Sequence, residues 1–532
     1  MTAQYVGTGT LARLSARRDR IRLPVWVYVI VALVASTAYA FKGLYTTVAQ
    51  RIEFADQIRA NGALVAVTGR IFDDTTIGGL TAWRFGGFAA VLTAIMSILT
   101  VTRHTRAEED SGRTELVSAA VVGRRAPLTA ALTVAAYANL LVALLIGLVL
   151  MLLGQPAIGG FALGLSVAGA GLVFAGIAAV TSQIASSSRG ATGLALAVLG
   201  LAFVLRAVGD VSTGGARIMS WLSPIGWAQQ VRAYAGERWW VFALFGALAA
   251  VLIGFAYALV GRRDVGAGLI ADRPGAPRAS RALQSPLGLA VRLQSGMWIG
   301  WAAGLFLLGL FLGSAGKNVG DLLKTSSQMS DYIEKLGGST SATNAYFVAT
   351  IGLFALAVAA YGITAVLRAR TEETDGRAEN LLATRVTRAA YLRGHVLVAL
   401  VGSALILAAM GLGAGITYSA VTGDAGRIPS MIGAALGQWP AVAVFAGIAV
   451  LLFGLAPRLL SLAWAAFGIA VGIGQIGPLL KAPQWVLDLS PFTHSPKLPG
   501  GEVTALPLIV LTAIAAALVL AGVAGFRRRD IG

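Results

Sequence analysis

Apolar residues run through the chain in long stretches, separated by short segments where Arg, Asp, Glu, Gly and Pro concentrate. Six stretches lie near 24–43, 84–102, 128–153, 159–184, 190–208 and 239–260. Six more lie near 297–315, 346–367, 395–415, 431–455, 459–478 and 504–526. Each approaches or exceeds the roughly 20 mostly apolar residues that a helix needs to cross a hydrocarbon core. Transmembrane strands would be about ten residues long and alternate in polarity, and these stretches do neither. The pattern predicts an all-α integral membrane protein with twelve transmembrane helices.

The polar segments repeat. Arg106, Glu108, Glu109, Gly112, Arg113 and Glu115 recur at the same spacing as Arg370, Glu372, Glu373, Gly376, Arg377 and Glu379. Leu222-Ser223-Pro224 recurs as Leu489-Ser490-Pro491, and Arg262-Arg263-Asp264 as Arg528-Arg529-Asp530, each after the same numbered stretch of its half. Three anchors in one order predict a tandem duplication. The expected domains are a six-span module over 1–270, a Pro/Gly/Arg-rich cytoplasmic linker over 271–284, and a second six-span module over 285–532. An even span count gives both modules the same orientation.

Composition agrees with a membrane protein and removes other classes. The 532 residues are 57% hydrophobic and 12% charged, against about 25% charged in soluble domains. Lys and Arg number 42 against 24 acids, for a net charge of +18, but the basic residues are scattered between apolar runs rather than gathered on a soluble face. That distribution argues against a nucleic-acid partner. Cysteine is absent, which excludes disulfides, thiolate metal sites and cysteine nucleophiles. The first apolar run follows Arg13, Arg17, Arg18, Arg20 and Arg22 and lacks a small-residue cleavage site, so it reads as a retained span. Arg concentrates in 1–23, 103–125, 262–292, 368–393 and 527–529, while Lys42, Lys317, Lys324, Lys335, Lys481 and Lys497 all fall in the alternate set of segments. The Arg bias places both termini in the cytoplasm.

Candidate chemistry is sparse. By these boundaries every acid lies in a loop or at a span end, and His104, His395 and His494 lie at margins or outside. A proton-driven carrier usually holds titratable groups within its spans. The deep polar residues are the neutral Asn139, Gln183, Gln438 and Gln475, which suit either interhelical hydrogen bonds or the lining of a translocation path. No metal-ligand cluster or catalytic constellation is visible, so the chain reads as a non-enzyme that binds no cofactor. The nearest approach to a phosphate loop, around Gly316 and Lys317, has Phe311 where a Gly is needed and Asn318 where Ser or Thr would hold Mg²⁺. ATP, if used, must be bound by another polypeptide. In the repeated motif a continuous helix would pair Glu109 with Arg113 and Glu373 with Arg377 at i,i+4, while Gly112 and Gly376 permit a bend. Trp221, Pro224 and Trp227, with Pro491 in the second half, suggest an outer interfacial hairpin.

Twelve spans in two halves, paired Glu-Glu-x-x-Gly-Arg-x-Glu segments after spans two and eight, and Leu-Ser-Pro before spans six and twelve resemble the ABC-2-type membrane subunits of bacterial ATP-binding-cassette exporters. Within them the chain is most similar to the fused, double-length permeases of the polyketide-antibiotic (tetronasin-type) group. The resemblance implies that Glu108, Glu109, Gly112, Arg113 and Glu115, with Glu372, Glu373, Gly376, Arg377 and Glu379, form coupling helices that dock on an ATPase. It implies ATP and Mg²⁺ on two copies of that separate ATPase subunit, amphipathic interface helices at 11–21 and 287–293, and an outer gate. The implied substrates are amphipathic drugs, polyketide-like antibiotics or lipids, moved out across the bacterial cytoplasmic membrane. A secondary active transporter of two six-span halves and a membrane-embedded lipid-modifying transferase are the alternatives.

Overall fold

The computed structural model describes residues 2–59, 62–212, 214–264, 266–270, 275, 277–325, 342–476, 483–501 and 504–530. All regular structure among them is helical. The chain forms two compact units, Met1–Gly275 and Ala276–Gly532.

In the first unit the long helices are Arg22–Leu44, Gly87–His104, Ala126–Leu152, Ala157–Ile184, Ser188–Val211 and Val241–Val260. Ala157–Ile184 is the axis, packing against Gly87–His104, Ala126–Leu152, Ser188–Val211 and Val241–Val260. Its sequence explains the position. It is rich in Gly and Ala on every side, and so lets neighbouring backbones come close where lipid supplies no hydrophobic drive. Gly164 shows the constraint, because a Cβ there would run into the Ala143 carbonyl of the adjacent helix. The outer helices turn Tyr28, Leu140, Leu201 and Phe255 outward, as a lipid-facing surface requires.

The second unit contains Pro286–Thr325, Ala342–Thr374, Arg388–Thr422, Trp439–Leu455, Leu462–Ile476 and Ala505–Arg528. Arg388–Thr422 packs along Pro286–Thr325, and Trp439–Leu455 against Ala505–Arg528. The second pairing is close because Gly454 and Gly522 meet backbone to backbone.

Among the described residues, 11 helices are long and apolar enough to cross a membrane, not twelve. The expected span near 459–478 is the 15-residue helix Leu462–Ile476. At 1.5 Å per residue it reaches about 22 Å, short of the roughly 30 Å hydrocarbon core. Residues 477–482, where that run was expected to end, lie outside the described residues.

The interface helices also differ from expectation. Thr8–Arg18 is a separate helix with no buried residue. Residues 287–293, however, are the opening turns of the 40-residue helix Pro286–Thr325, not an independent element. His104 and His395, expected at margins, are buried: His104 Nε2 lies 2.6 Å from Asp19, and His395 Nδ1 lies 3.0 Å from Gln294.

Gly164→Leu should destabilise the first unit by about 1–3 kcal/mol or more, since a backbone carbonyl cannot move aside. Gly200→Leu, on an open face of the Ser188–Val211 helix with nothing near its missing Cβ, should be neutral or stabilising. Melting of the two variants in detergent, followed by size-exclusion fluorescence, checks both outcomes.

Candidate functional site

The repeated motif folds the same way in both units, but not as one continuous helix. In the first unit Arg106–Asp110 and Arg113–Ser118 are two short helices. Between them Gly112 takes φ 72°, a left-handed conformation open to Gly at little cost. In the second unit Ala342–Thr374 runs to the motif, Gly376 also takes φ 72°, and Arg377–Leu382 follows.

This break overturns the expected i,i+4 pairs. Glu109 does not meet Arg113, and Glu373 does not meet Arg377. Instead the first Glu of each motif reaches across the glycine turn. Glu108 lies 3.4 Å from Arg113 and 2.8 Å from Arg18. Glu372 lies 2.6 Å from Arg377 and 2.6 Å from Arg368. Hydrogen bonding to Glu372 pushes the Arg377 guanidinium above its ordinary pKa.

The second Glu points inward. Glu109 takes a two-pronged contact from Arg263, at 2.7 and 2.5 Å, and another from Arg106 at 2.9 Å. Glu373 takes 2.5 Å from Arg529 and 3.2 Å from Arg370. Arg263 and Arg529 stand just after the last long helix of their units, so each glycine turn is pinned to that helix by a carboxylate–guanidinium pair. Two sequence anchors that were separate in the chain thus become one contact in space. Arg263 Nε also donates to Gln183 Oε1 at 2.7 Å. Arg106, fully buried, donates to the carbonyls of Ser186, Gly266 and Ala267.

The departure between the copies has a structural counterpart. The Asp110 carboxylate accepts from the Ser188 backbone N–H at 2.7 Å, capping the helix Ser188–Val211. Asp375, one position later in its motif, pairs with Arg377 at 2.5 Å instead. The motifs leave outward Asp110, Ser111, Arg113, Glu115 and Leu116 in one unit and Thr374, Asp375, Arg377, Glu379 and Asn380 in the other.

The neutral polar residues are dispersed. Asn139 is fully buried and donates to Ser97 Oγ at 2.9 Å and to the Ala135 carbonyl, joining two long helices. Gln183 belongs to the motif cluster, in the last turn of Ala157–Ile184. Gln438, between the helices Arg427–Leu436 and Trp439–Leu455, donates to the Pro496 carbonyl at 3.4 Å and borders a cavity of about 660 Å³. The side chain of Gln475 lies outside the described residues.

Both Leu-Ser-Pro serines tie their segment to the preceding long helix, and the first also caps the helix that follows it. Ser223 Oγ accepts from Gly226 N–H and donates to the Ala202 carbonyl at 2.6 Å, with Pro224 opening the next helix. Ser490 Oγ donates to the Ala470 carbonyl at 3.3 Å, and Pro491 opens a short 3₁₀ turn. Trp221 stacks on Trp240 with centroids 5.4 Å apart, and Trp227 Nε1 donates to the Trp221 carbonyl.

The sequence reading missed the buried pair Arg206–Asp210, 3.5 Å apart, whose carboxylate also accepts from Ser220 at 2.7 Å. Arg206 falling inside the 190–208 run, four residues before an acid, was the available signal.

These features define an all-helical, multi-pass membrane protein. The family model described as "Multidrug efflux system permease Rv1217c, C-terminal domain" matches residues 9–260 and 283–527, one stretch in each unit. The "Multidrug efflux system permease protein Rv1217c" of Mycobacterium tuberculosis (strain ATCC 25618 / H37Rv) is 41% identical over 529 residues, covering 99% of this chain and 96% of that protein. The chain belongs to this family of multidrug efflux system permeases.

Removing either partner of Glu109–Arg263 should cost about 1.5–3 kcal/mol, because each leaves a mostly buried charge without its mate. The swap Glu109→Arg with Arg263→Glu should recover part of the loss. A double-mutant cycle on thermal stability measures the coupling, and additive losses would show that the pair does not act as one contact.

Proposed function

We propose that this chain is the membrane permease of an ATP-driven bacterial exporter that moves amphipathic drugs, polyketide-like antibiotics or lipids outward. Two copies of a separate ABC ATPase, with their ATP and Mg²⁺, would bind the two motif segments at the cytoplasmic face. Family membership supports the efflux role. The observation that carries the coupling role is the pinned glycine turn, present in both units with the same φ and the same second-Glu contact to the last helix. A turn that presents polar and apolar side chains outward, yet is held to a long helix by buried charge, can pass a partner's displacement into the bundle. A free loop would absorb it. The carboxylates Glu109, Glu372 and Glu373 hold the turn. Arg113, Glu115 and Leu116, with Arg377 and Glu379, are the residues available to touch a partner.

A secondary carrier is the second reading, and a specific observation favours it. Asp19–His104 and Arg206–Asp210 are ionisable pairs buried in the first unit, and such groups serve proton relays in carriers. Reconstituted vesicles separate the two readings. Export that requires ATP and the co-expressed ATPase, and that survives collapse of the proton gradient, supports the ABC reading. Export driven by a pH gradient with no ATPase present overturns it. Leu116→Asp should weaken co-purification of the ATPase about tenfold without lowering the melting temperature, since Leu116 is 78% exposed.

Orientation is tested on the native cysteine-free background. A Cys at Leu116 should react with an impermeant maleimide only from the cytoplasm, and one at Ala216 only from outside.

A further inference from the structure

The first unit has a second charged site at the opposite end of Ser188–Val211 from the capping Asp110. The end of Val48–Arg59, the helix Gly62–Thr68 with Arg70 and Ile71 after it, the end of Ser188–Val211 and Arg217 border an open cavity of about 280 Å³. Arg59, Arg70 and Arg217 line it, with Val65 and exposed Val211 as its accessible apolar side and Ile58 and Ile71 buried behind.

The charges around it do not balance. Arg59 is already paired with Asp56 at 2.9 Å and Asp74 at 2.7 Å. Asp210, the one carboxylate at the cavity, is 4% exposed and is engaged by Ser220 and Arg206. Arg70 is held in place by backbone only, donating to the carbonyls of Asp210 at 2.7 Å, Ser212 at 2.9 Å and Gly209 at 3.3 Å. No carboxylate among the described residues comes within ion-pair distance of Arg70 or Arg217. Burial, and then the positive charge of Arg217, hold the Arg70 guanidinium below its ordinary pKa despite Asp210 nearby. Two cations facing one partly desolvated space repel each other, and an anion between them relieves that repulsion. Planar guanidiniums also suit the two oxygens of a carboxylate or phosphate. The accessible apolar lining argues against a bare ion as the best occupant, because half-buried Val65 and exposed Val211 would face it without gain.

We propose that this cavity binds the anionic head, carboxylate or phosphate, of an amphipathic molecule, with Arg217 and Arg70 on the head and Val65 and Val211 against its apolar body. Arg70 is the preset donor, fixed by the helix end it caps. Arg217, exposed on the 3₁₀ turn Gly214–Arg217, closes on the head from the rim. The site stands independently of ATP coupling, since binding needs neither partner nor nucleotide.

The test uses the full chain purified in dodecyl maltoside, an uncharged detergent. Three fluorescent probes are titrated: an NBD-labelled dodecanoate, its methyl ester, and an NBD-labelled lysophosphatidate. The acid or the lysophosphatidate should bind saturably, with the ester about tenfold weaker or worse, and binding should weaken with salt. Arg217→Glu should weaken the anionic probes about tenfold or more, Arg217→Lys should keep most of the affinity, and both should melt like the parent chain. Tighter binding of the dodecanoate assigns the site to carboxylate amphiphiles, and tighter binding of the lysophosphatidate assigns it to lipid phosphate. Equal binding of acid and ester, or no effect of Arg217→Glu, overturns the proposal. Full displacement of the probes by inorganic phosphate at matched concentration overturns its amphipathic part.

Discussion

A mostly buried carboxylate–guanidinium pair, Glu109 with Arg263 and again Glu373 with Arg529, joins the glycine turn of each unit to the end of its last long helix. Without it the turn would be a short loop between two long helices, free to follow solvent. With it, the segment between the second and third long helices shares its position with an element more than a hundred residues later in the chain. Glu109 and Arg263 have the geometry that makes such contacts strong, two oxygens against a planar fork, whereas Glu373 takes both Arg529 and Arg370 on a single oxygen. In the first unit Arg106, Gln183 and the backbone after Arg263 close around the same point.

Charge is spent inward here, and that changes what the motif can offer a partner. A run of acids in a polar segment suggests a charged docking face. The structure turns Glu109, Glu372 and Glu373 into internal braces, and the outward side of each motif keeps one Asp, one Arg and one Glu, with an exposed Leu in the first unit. A partner reading this surface would find shape and apolar contact alongside charge. The glycine makes both halves of the arrangement possible, since its left-handed φ lets one Glu reach back to the motif Arg while the next Glu faces the bundle.

The same economy appears at the opposite end of the first unit. Arg70 spends its donors on the carbonyls that end a helix, and Asp210 is committed to Arg206 and Ser220. Each arrangement is locally satisfied, yet together they leave positive charge beside a cavity of mixed lining. Such a remainder is visible only when all the partners are placed.

Much of the fold was legible from the chain. Long apolar runs admit no structure but helices in a membrane, because backbone polar groups there must be satisfied within the segment. Eleven of the twelve expected runs appear as long helices. The twelfth is the 15-residue helix Leu462–Ile476, and the expected end of its run falls on 477–482, outside the described residues. The repeat anchors could likewise be read in advance, and so could a bend at each motif glycine, since each depends on local chemistry. What tertiary structure alone decided is which charge meets which. The i,i+4 spacing suggested Glu109–Arg113 and Glu373–Arg377, and one φ angle at each glycine redirected both. Arg263, Arg529 and His104 carry no local mark of their partners. Their pairing depends on where distant helix ends converge, and helix ends converge according to packing of small residues such as Gly164 and Gly454, which no periodicity in the chain encodes.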